Sequence, residues 1–308
     1  MSYSIETAIL SLDKYARSWR SFVGTEITDK SGLGDVLEPL SRAFYKEYGQ
    51  EQSAAEEAIA YYVVAKFLCY KTIYRFEPSF LNALSQTEDS CIYQASLKNL
   101  PVSCFFIALN SQPYLGLIVC VDFLGEDTHV TVSMIPNGNI ESTAGNMLTL
   151  SIHDGQTITA AISEWHKDND ELIDGTHAVN DSDAVRILTL ATQAAYYLSA
   201  RNCAIKKINI PKEKRPKRSN GTPLNLREWN VGYRIGNAFA PTQEPSSEIL
   251  DSTGTATHGT SPRPHVRRAH FHHYWVGQGR ARCEVRWIDP VWVNGDSESI
   301  VPTEHQVL

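Results

Sequence analysis

The sequence lacks the features that would place it in a membrane or in an oxidising compartment. None of its apolar runs approaches the roughly 20 residues that a membrane-spanning helix needs. Its first residues show no basic segment followed by an apolar one, so we expect no signal peptide. The six cysteines are scattered without a C-x-x-C pair, and four of them lie in strongly apolar stretches. We therefore expect reduced, mostly buried thiols, no structural zinc or other cofactor, and a location in the cytoplasm.

The motifs of several common enzyme classes are also missing. The G-x-x-x-G segment over residues 232–236 is not followed by Gly-Lys-Ser/Thr, so it is not a phosphate-binding P-loop. The chain contains neither the G-x-S-x-G motif of serine hydrolases nor the H-E-x-x-H motif of zinc proteases. The sequence thus gives no reason to expect an enzyme.

The order of the sequence patterns predicts an α+β fold. With 42% apolar and 20% charged residues, the composition is that of a globular protein. Apolar residues at helical spacing predict helices over 6–23, 35–48, 51–75, a short piece from residue 78, and 181 or 183 to about 202. β-branched and aromatic runs predict strands over 102–109, 114–124, 129–135 and 205–210, and a hairpin of 146–152 with 157–162. We expect a helical N-terminal layer on a mostly antiparallel sheet, with the C-terminal strands joining the same sheet and domain.

Charge divides the chain into an acidic part and a basic part. The whole chain carries −7, but residues 205–295 hold 15 Lys and Arg against 7 Asp and Glu, a net charge of +8. The remainder holds 28 − 15 = 13 Lys and Arg and 35 − 7 = 28 Asp and Glu, a net charge of −15. This predicts an acidic body over 1–204, a basic region over 205–296 and a loose tail over 297–308. Such a basic region either meets an anionic partner, such as RNA or the ribosome, or packs on the acidic body.

The most unusual stretch of the chain covers residues 263–279. Four of its residues are histidine, three are arginine and three are aromatic, and such groups are costly to bury without partners. If the stretch is a strand, its side chains alternate between two faces. One face then carries Arg268, His270, His272 and Tyr274. The other face carries Arg267, Ala269, Phe271, His273 and Trp275, and we expect Phe271 and Trp275 to enter the core.

This stretch and the segment 283–295 resemble the C-terminal signature of a phage and plasmid family of type V-A anti-CRISPR proteins. The signature reads approximately R-P-H-x-R-R-G-H-x-H-x-Y-W-x-G-x-G, followed by V-R-W and a short apolar strand ending near Asn-Gly. The resemblance covers the last third of the chain. Ala269 replaces a glycine of the pattern, so a positive φ is not expected there. Phe271 stands where we expect tryptophan, which keeps the ring but removes an N–H donor.

The resemblance implies a function that composition and spacing do not provide. Family members repress the biosynthesis of the CRISPR effector nuclease. The resemblance implies a regulator that binds a short nascent N-terminal peptide of its target protein. The type V-A nuclease is one candidate for this target. The regulator lowers synthesis of the target through translation-dependent loss of its mRNA. Ribosome or mRNA contacts are possible further partners, and no membrane is expected. The binding residues that match the motif are Arg267, Arg268, His270, His272, Tyr274, Trp275, Arg286 and Trp287. Of these, Arg268, His270, His272 and Tyr274 are expected as contacts, and Trp275 and Trp287 as supports.

Other interpretations of the basic region remain open. His270 and His272 could act as acid and base in RNA cleavage, with Arg268 stabilising the phosphorane, or hold a metal with a third ligand. The whole region could instead bind RNA as a plain repressor, or its polar groups could form a scaffold satisfied by the acidic body. The segment 212–218 either binds phosphates or is a solvated loop. Residues 240–264, rich in Pro, Ser, Thr and Gly, are predicted to form a flexible loop.

Overall fold

A seven-stranded mixed sheet organises the part of the chain that the computed structural model describes, which is residues 4–109, 113–137, 146–169, 181–233, 265–280 and 282–293. The helices are α1 (Ile5–Val23), α2 (Leu33–Tyr48), α3 (Glu51–Tyr70), α4 (Pro78–Ser85), α5 (Gln94–Leu97), α6 (Ile158–Asn169) and α7 (Asp181–Ser199). The strands are β1 (Thr72–Phe76), β2 (Cys91–Ile92), β3 (Cys104–Ala108), β4 (Tyr114–Leu124), β5 (Asp127–Pro136), β6 (Met147–His153), β7 (Gln156–Thr157), β8 (Ile205–Ile208), β9 (Arg227–Val231), β10 (His265–Arg267), β11 (His270–Val276), β12 (Arg282–Ile288) and β13 (Val291–Val293).

The main sheet has the strand order β6-β5-β4-β3-β1-β9-β8. All its neighbours pair antiparallel except β1, which runs parallel to both β3 and β9. The predicted α+β class and the mostly antiparallel sheet are therefore confirmed. The parallel centre has a consequence for the surface, because the carboxyl ends of β1, β3 and β9 meet at one edge of the sheet.

Both faces of the central strands are buried. The side chains of one face, including Ile73, Phe106 and Ile118, pack with α1, α2 and α3 in one hydrophobic cluster. The opposite face, including Phe105 and Val119, packs with α4, α6 and α7 in a second cluster. Five consecutive residues of β3 are buried, which explains why its sequence is a continuous apolar run without the alternation of a half-exposed strand.

Two segments differ from the sequence prediction. The helix predicted over 51–75 ends at Tyr70, and Lys71 takes a left-handed conformation with φ 52° that closes it. The next five residues form β1, so their β-branched and aromatic side chains outweighed the helical pattern. The hairpin predicted from 146–152 and 157–162 has its first strand, β6. Its second segment is only the two-residue β7, followed by α6, because Ile158, Ala161 and Ile162 follow helical spacing into the core.

The prediction that the C-terminal strands join the main sheet is half correct. Strands β8 and β9 extend that sheet, but β11 and β12 form a separate antiparallel hairpin, and β10 pairs with β13. The hairpin instead packs by one face into the same hydrophobic cluster as α4 and α7. The boundary at residue 204 separates an acidic part of the sequence from a basic part. The predicted flexible loop over 240–264 and the tail lie outside the described residues.

A buried ion pair joins the N-terminal helices to the sheet. Lys66 of α3 and Asp122 of β4 are 3% and 4% exposed, and Nζ of Lys66 lies 3.3 Å from Oδ1 of Asp122. The hydroxyl of Tyr62 donates to the same carboxylate oxygen at 2.6 Å. Because each charge satisfies the other away from water, loss of one partner leaves an uncompensated buried charge.

We predict that Asp122→Asn lowers the free energy of unfolding by about 3–5 kcal/mol, since it leaves the Lys66 ammonium unpaired. Urea denaturation followed by circular dichroism measures the change. The double variant Lys66→Met/Asp122→Leu, which removes both charges, should recover most of the loss. An unfolding free energy for Asp122→Asn within about 1 kcal/mol of wild type would contradict this role of the pair.

Candidate functional site

Hairpin β11–β12 carries most of the residues that the sequence predicts as a site. Its register places Phe271 opposite Trp287 and His272 opposite Arg286. Alternation along the two strands gives the hairpin an inner face toward α4 and α7 and an outer face away from them. We call these the inner face and the outer face of the hairpin.

Trp287 anchors the inner face. It is 2% exposed, and its ring meets the rings of Phe80 and Tyr197 edge to face, with centroids 5.0 and 5.6 Å away. Its indole N–H donates to Oγ1 of Thr87 at 3.4 Å. The side chain of Asn202 binds the Trp287 backbone twice, accepting from its N–H at 3.0 Å and donating to its carbonyl at 2.7 Å. Trp287 is therefore buried, and its ring and backbone fix the hairpin to the main body.

The inner face continues through Phe271 and His273. Phe271 is buried against the ring of Tyr196 of α7, with centroids 5.0 Å apart. A hydrogen bond of 2.8 Å joins Nε2 of His273 to the Tyr196 hydroxyl. Burial lowers the pKa of His273, so this imidazole is neutral at neutral pH. His273 therefore serves packing and hydrogen bonding on the side that faces the protein.

Trp275 lies on the inner face but is not a core residue as predicted. It is 49% exposed, and its ring meets Tyr93 edge to face with centroids 5.4 Å apart. It stands at the end of β11, opposite Cys283, beyond the stretch in which Phe271 packs on α7. The expected core position is therefore wrong, because the period of two assigns a face but does not show how far the helices extend beneath it.

The outer face brings three of the predicted residues together. The rings of His272 and Tyr274 have centroids 4.4 Å apart, and the Arg286 guanidinium carbon lies 5.2 Å from the centre of the Tyr274 ring. All three side chains are exposed, Tyr274 at 38%. His270, half-buried, precedes them on the same face. These contacts form a small exposed cluster of flat rings and a cation, which we call the outer cluster (His272, Tyr274 and Arg286).

The structure places the other two predicted arginines apart from the outer cluster. Arg268 is exposed just before β11 and borders a groove of about 240 Å³ with Asn82, Gln86 and Pro290. Arg267 belongs to β10, where it pairs with Val291, and its side chain lies outside what the structure describes. The predicted residues thus divide between an exposed cluster, a buried anchor and the approach to the hairpin.

Several basic side chains are paired with the protein's own acids. Arg218 holds Asp13 of α1 through two hydrogen bonds of 2.7 and 2.9 Å. Burial raises the pKa of Asp13, but the bonds to Arg218 outweigh it and leave the pKa below its usual value. Glu284 on the outer face accepts from Arg201 at 2.5 Å and from Arg282 at 2.6 Å. Arg218 of the basic region is therefore neutralised by the acidic body, whereas Glu284 is an acid of the basic region that binds Arg201 of the acidic body.

Arg268 and Arg286 are different. Within the described part of the chain, no carboxylate lies within ion-pair distance of either guanidinium, so both charges face outward without a neutralising acid. Likewise, no group of three or more histidine, cysteine and acidic side chains among the described residues is placed to hold a metal. None of the described helices is both long and apolar enough to cross a membrane.

An apolar groove on the main body was not predicted from the sequence. It has a volume of about 610 Å³ and lies where β1 and β3 end, between α4 and α7. The lining residues of each helix follow the spacing i, i+3, i+4, i+7. Each wall of the groove is therefore one face of a helix. They are Pro78, Leu81, Asn82 and Ser85 of α4, and Asp183, Arg186, Ile187 and Leu190 of α7. The floor includes Phe76, Ala108, Leu109, Tyr114 and Leu117. We call this site the α4–α7 groove.

A larger cleft, of about 830 Å³, lies at the other side of the molecule beside α1 and α3. Several of its charged groups have partners: Arg17 and Arg218 bind Asp13, and Arg227 donates to the carbonyl of Tyr70. Such a cleft has less to offer an apolar ligand than the α4–α7 groove.

Comparison with known proteins assigns the chain to a family. Residues 74–295, which include the sheet from β1 onward, the α4–α7 groove and the hairpin, match the model of a family of anti-CRISPR proteins. The chain belongs to the Anti-CRISPR type V subtype A2 family, described as AcrVA2-like. It is also similar to a solved structure titled "Crystal structure of AcrVA2", at 14% sequence identity and a TM-score of 0.49, covering 93% of this chain and 94% of that chain. No curated protein matches the chain.

The buried and exposed residues of the hairpin should respond differently to truncation. We predict that Trp287→Ala lowers the free energy of unfolding by about 3–5 kcal/mol, because it opens a cavity between α4 and α7. Arg286→Ala, one residue earlier on the exposed side, should change it by no more than about 0.5 kcal/mol. Chemical denaturation of both variants tests the assignment, and equal losses would refute the two-faced hairpin.

Proposed function

We propose that the protein is an anti-CRISPR regulator that binds a short N-terminal peptide of its target during translation and lowers the target's synthesis through loss of its mRNA. Membership of the Anti-CRISPR type V subtype A2 family supports a type V-A CRISPR nuclease as the target. The observation that carries the peptide-binding part is the α4–α7 groove. No chemistry by the protein itself is needed for this proposal.

The shape of the groove suits a short peptide. Its volume of about 610 Å³ lies within the roughly 300–1,000 Å³ of typical ligand sites. Each wall extends for two helical turns, which is about 10 Å and matches about three residues of extended chain. Apolar side chains from both helices and from the sheet line the interior, whereas Asn82, Ser85 and Arg186 provide polar groups. Apolar side chains of a peptide would fill the groove and its backbone would bond to the polar groups.

The hairpin is less suited to choosing a peptide sequence. The outer cluster consists of exposed side chains on a two-stranded surface, and sequence choice among peptides requires pockets for individual side chains. We therefore assign peptide recognition to the α4–α7 groove. We assign the contact with the message or ribosome that leads to mRNA loss to the signature residues of the hairpin and to Arg267 and Arg268, which precede it.

Substitutions in the groove test the peptide site. Leu81 and Leu190 are half-exposed, so Leu81→Asp and Leu190→Asp alter the groove without placing charge in the deep core. Each should weaken binding of a synthetic peptide from the nuclease N terminus by about tenfold or more, because burying the new carboxylate is unfavourable. Fluorescence anisotropy measures the dissociation constant.

Leu124→Asp is the matched control, since Leu124 is also partly exposed but lies at the opposite end of β4 from Tyr114. It should leave peptide affinity unchanged. Unchanged affinity in both groove variants, with folded circular dichroism spectra, would remove the groove from the proposal.

The assignment of the hairpin requires a cellular test. In bacteria carrying a reporter fused to the nuclease N terminus, Arg267→Ala/Arg268→Ala should abolish mRNA loss, because removing two cations weakens contact with an anionic partner. The same variant should bind the peptide as wild type does. If it no longer binds the peptide, the hairpin is part of the peptide site and the division of roles is wrong.

A reporter with a frameshifted leader keeps almost the same mRNA but encodes a different peptide. It should escape repression by the wild-type protein if the nascent peptide is recognised.

The rival hypothesis is a ribonuclease that uses His270 and His272. It is tested by incubating the purified protein with labelled mRNA in the absence of ribosomes. If the wild-type protein cleaves the mRNA in this assay and the His270→Ala variant does not, the ribonuclease hypothesis is favoured.

A further inference from the structure

We propose that the outer face of the hairpin β11–β12 is a binding surface for single-stranded RNA, with the outer cluster as the place where a base stacks. The inference deepens the mRNA-loss part of the proposed function and takes its biological meaning from it. The binding itself does not depend on the α4–α7 groove or on any peptide.

The first support is the form of the outer cluster. Imidazole, phenol and guanidinium groups are all flat, and His272, Tyr274 and Arg286 are held within 4.4 and 5.2 Å of one another while exposed. Aromatic rings and guanidinium planes are the groups on which unpaired bases stack in proteins. A base added to this cluster would pack against flat groups that the protein already holds side by side.

The second support is charge. Between residues 268 and 289 the chain carries Arg268, Arg280, Arg282 and Arg286 against two acids, Glu284 and Asp289. Glu284 is held by two arginines, Arg201 from the main body and Arg282. The hairpin and its flanking residues therefore carry a net charge of 4 − 2 = +2 although the whole chain carries −7, and this charge complements a phosphate backbone.

The third support is the rigidity of the surface. The opposite face of the same two strands is fixed by Trp287, whose backbone and ring both have partners in the main body. Phe271 is fixed against Tyr196 in the same way. An exposed cluster on a fixed base loses little side-chain entropy when a ligand binds.

The geometry favours single strands over a duplex. Paired bases of an A-form helix are stacked within the duplex, and their faces are closed to protein rings. A flat two-stranded surface with exposed rings instead accepts unpaired bases. The Tyr274 hydroxyl and the His272 imidazole can also bond to the 2′-hydroxyl that distinguishes RNA from DNA.

The test is fluorescence anisotropy with the full-length protein and a labelled single-stranded RNA of mixed sequence, about 12 nucleotides long, within the site sizes of known single-strand binders. Tyr274→Ala should weaken binding about tenfold, whereas Tyr274→Phe, which keeps the ring, should retain most of the affinity. Arg286→Ala should weaken binding and make the slope of log affinity against log salt shallower by about 0.7, the value for one lost phosphate contact.

Helix α2 provides the matched control, because Arg42 and Tyr45 are an exposed arginine and tyrosine far from the hairpin. Arg42→Ala/Tyr45→Ala should bind RNA as wild type does. DNA of the same sequence and duplex RNA should both bind more weakly than single-stranded RNA.

Three results would overturn the proposal. The first is that the wild-type protein does not bind the RNA at low salt, and the second is that the hairpin variants bind it as tightly as wild type does. The third is displacement of the RNA by the nuclease peptide together with loss of peptide binding in Tyr274→Ala, which would make the hairpin a peptide site. The groove variants Leu81→Asp and Leu190→Asp should keep RNA affinity, so failure of the peptide site and failure of the RNA surface are separable.

Discussion

The packing of Trp287 between α4 and α7 is the interaction on which the candidate site depends. A two-stranded hairpin alone is marginally stable, so its shape must come from what it packs against. Trp287 provides that support with its ring, through Phe80 and Tyr197, and with its backbone, through Asn202. Because the inner face carries the packing energy, the outer face is free to display polar and charged groups that would destabilise a core.

The second constraint is the burial of both faces of the central strands. Helices α1 to α3 cover one face and α4, α6 and α7 cover the other, so ligands can approach the sheet only at its ends. Parallel pairing of β1 with β3 and β9 brings three carboxyl ends to one edge. The α4–α7 groove opens at that edge. It is therefore a consequence of the strand order, which no local pattern in the sequence specifies.

This explains what could be predicted from the sequence. The two faces of β11 follow from its period of two, and the association of His272 with Tyr274 follows from that period directly. The strands β4 and β5 were predictable because each combines β-branched residues with flanking turns. The α4–α7 groove was not, because its walls and floor come from segments that are distant in sequence. The exposure of Trp275 was missed for a similar reason, since its ring packs against Tyr93, a residue distant in sequence, and remains 49% exposed.

Helix α4 stands between the two surfaces to which different partners are assigned. Leu81 and Ser85 face the α4–α7 groove, whereas the neighbouring Phe80 is fully buried against Trp287. Asn82 lines both that groove and the smaller one beside Arg268. The side chains of α4 are closely packed and cannot shift independently of their neighbours. A peptide therefore cannot displace this eight-residue helix without moving Phe80 against Trp287. A signal from an occupied groove to the hairpin that we propose to bind RNA would therefore have a short physical route, through Phe80 and Trp287.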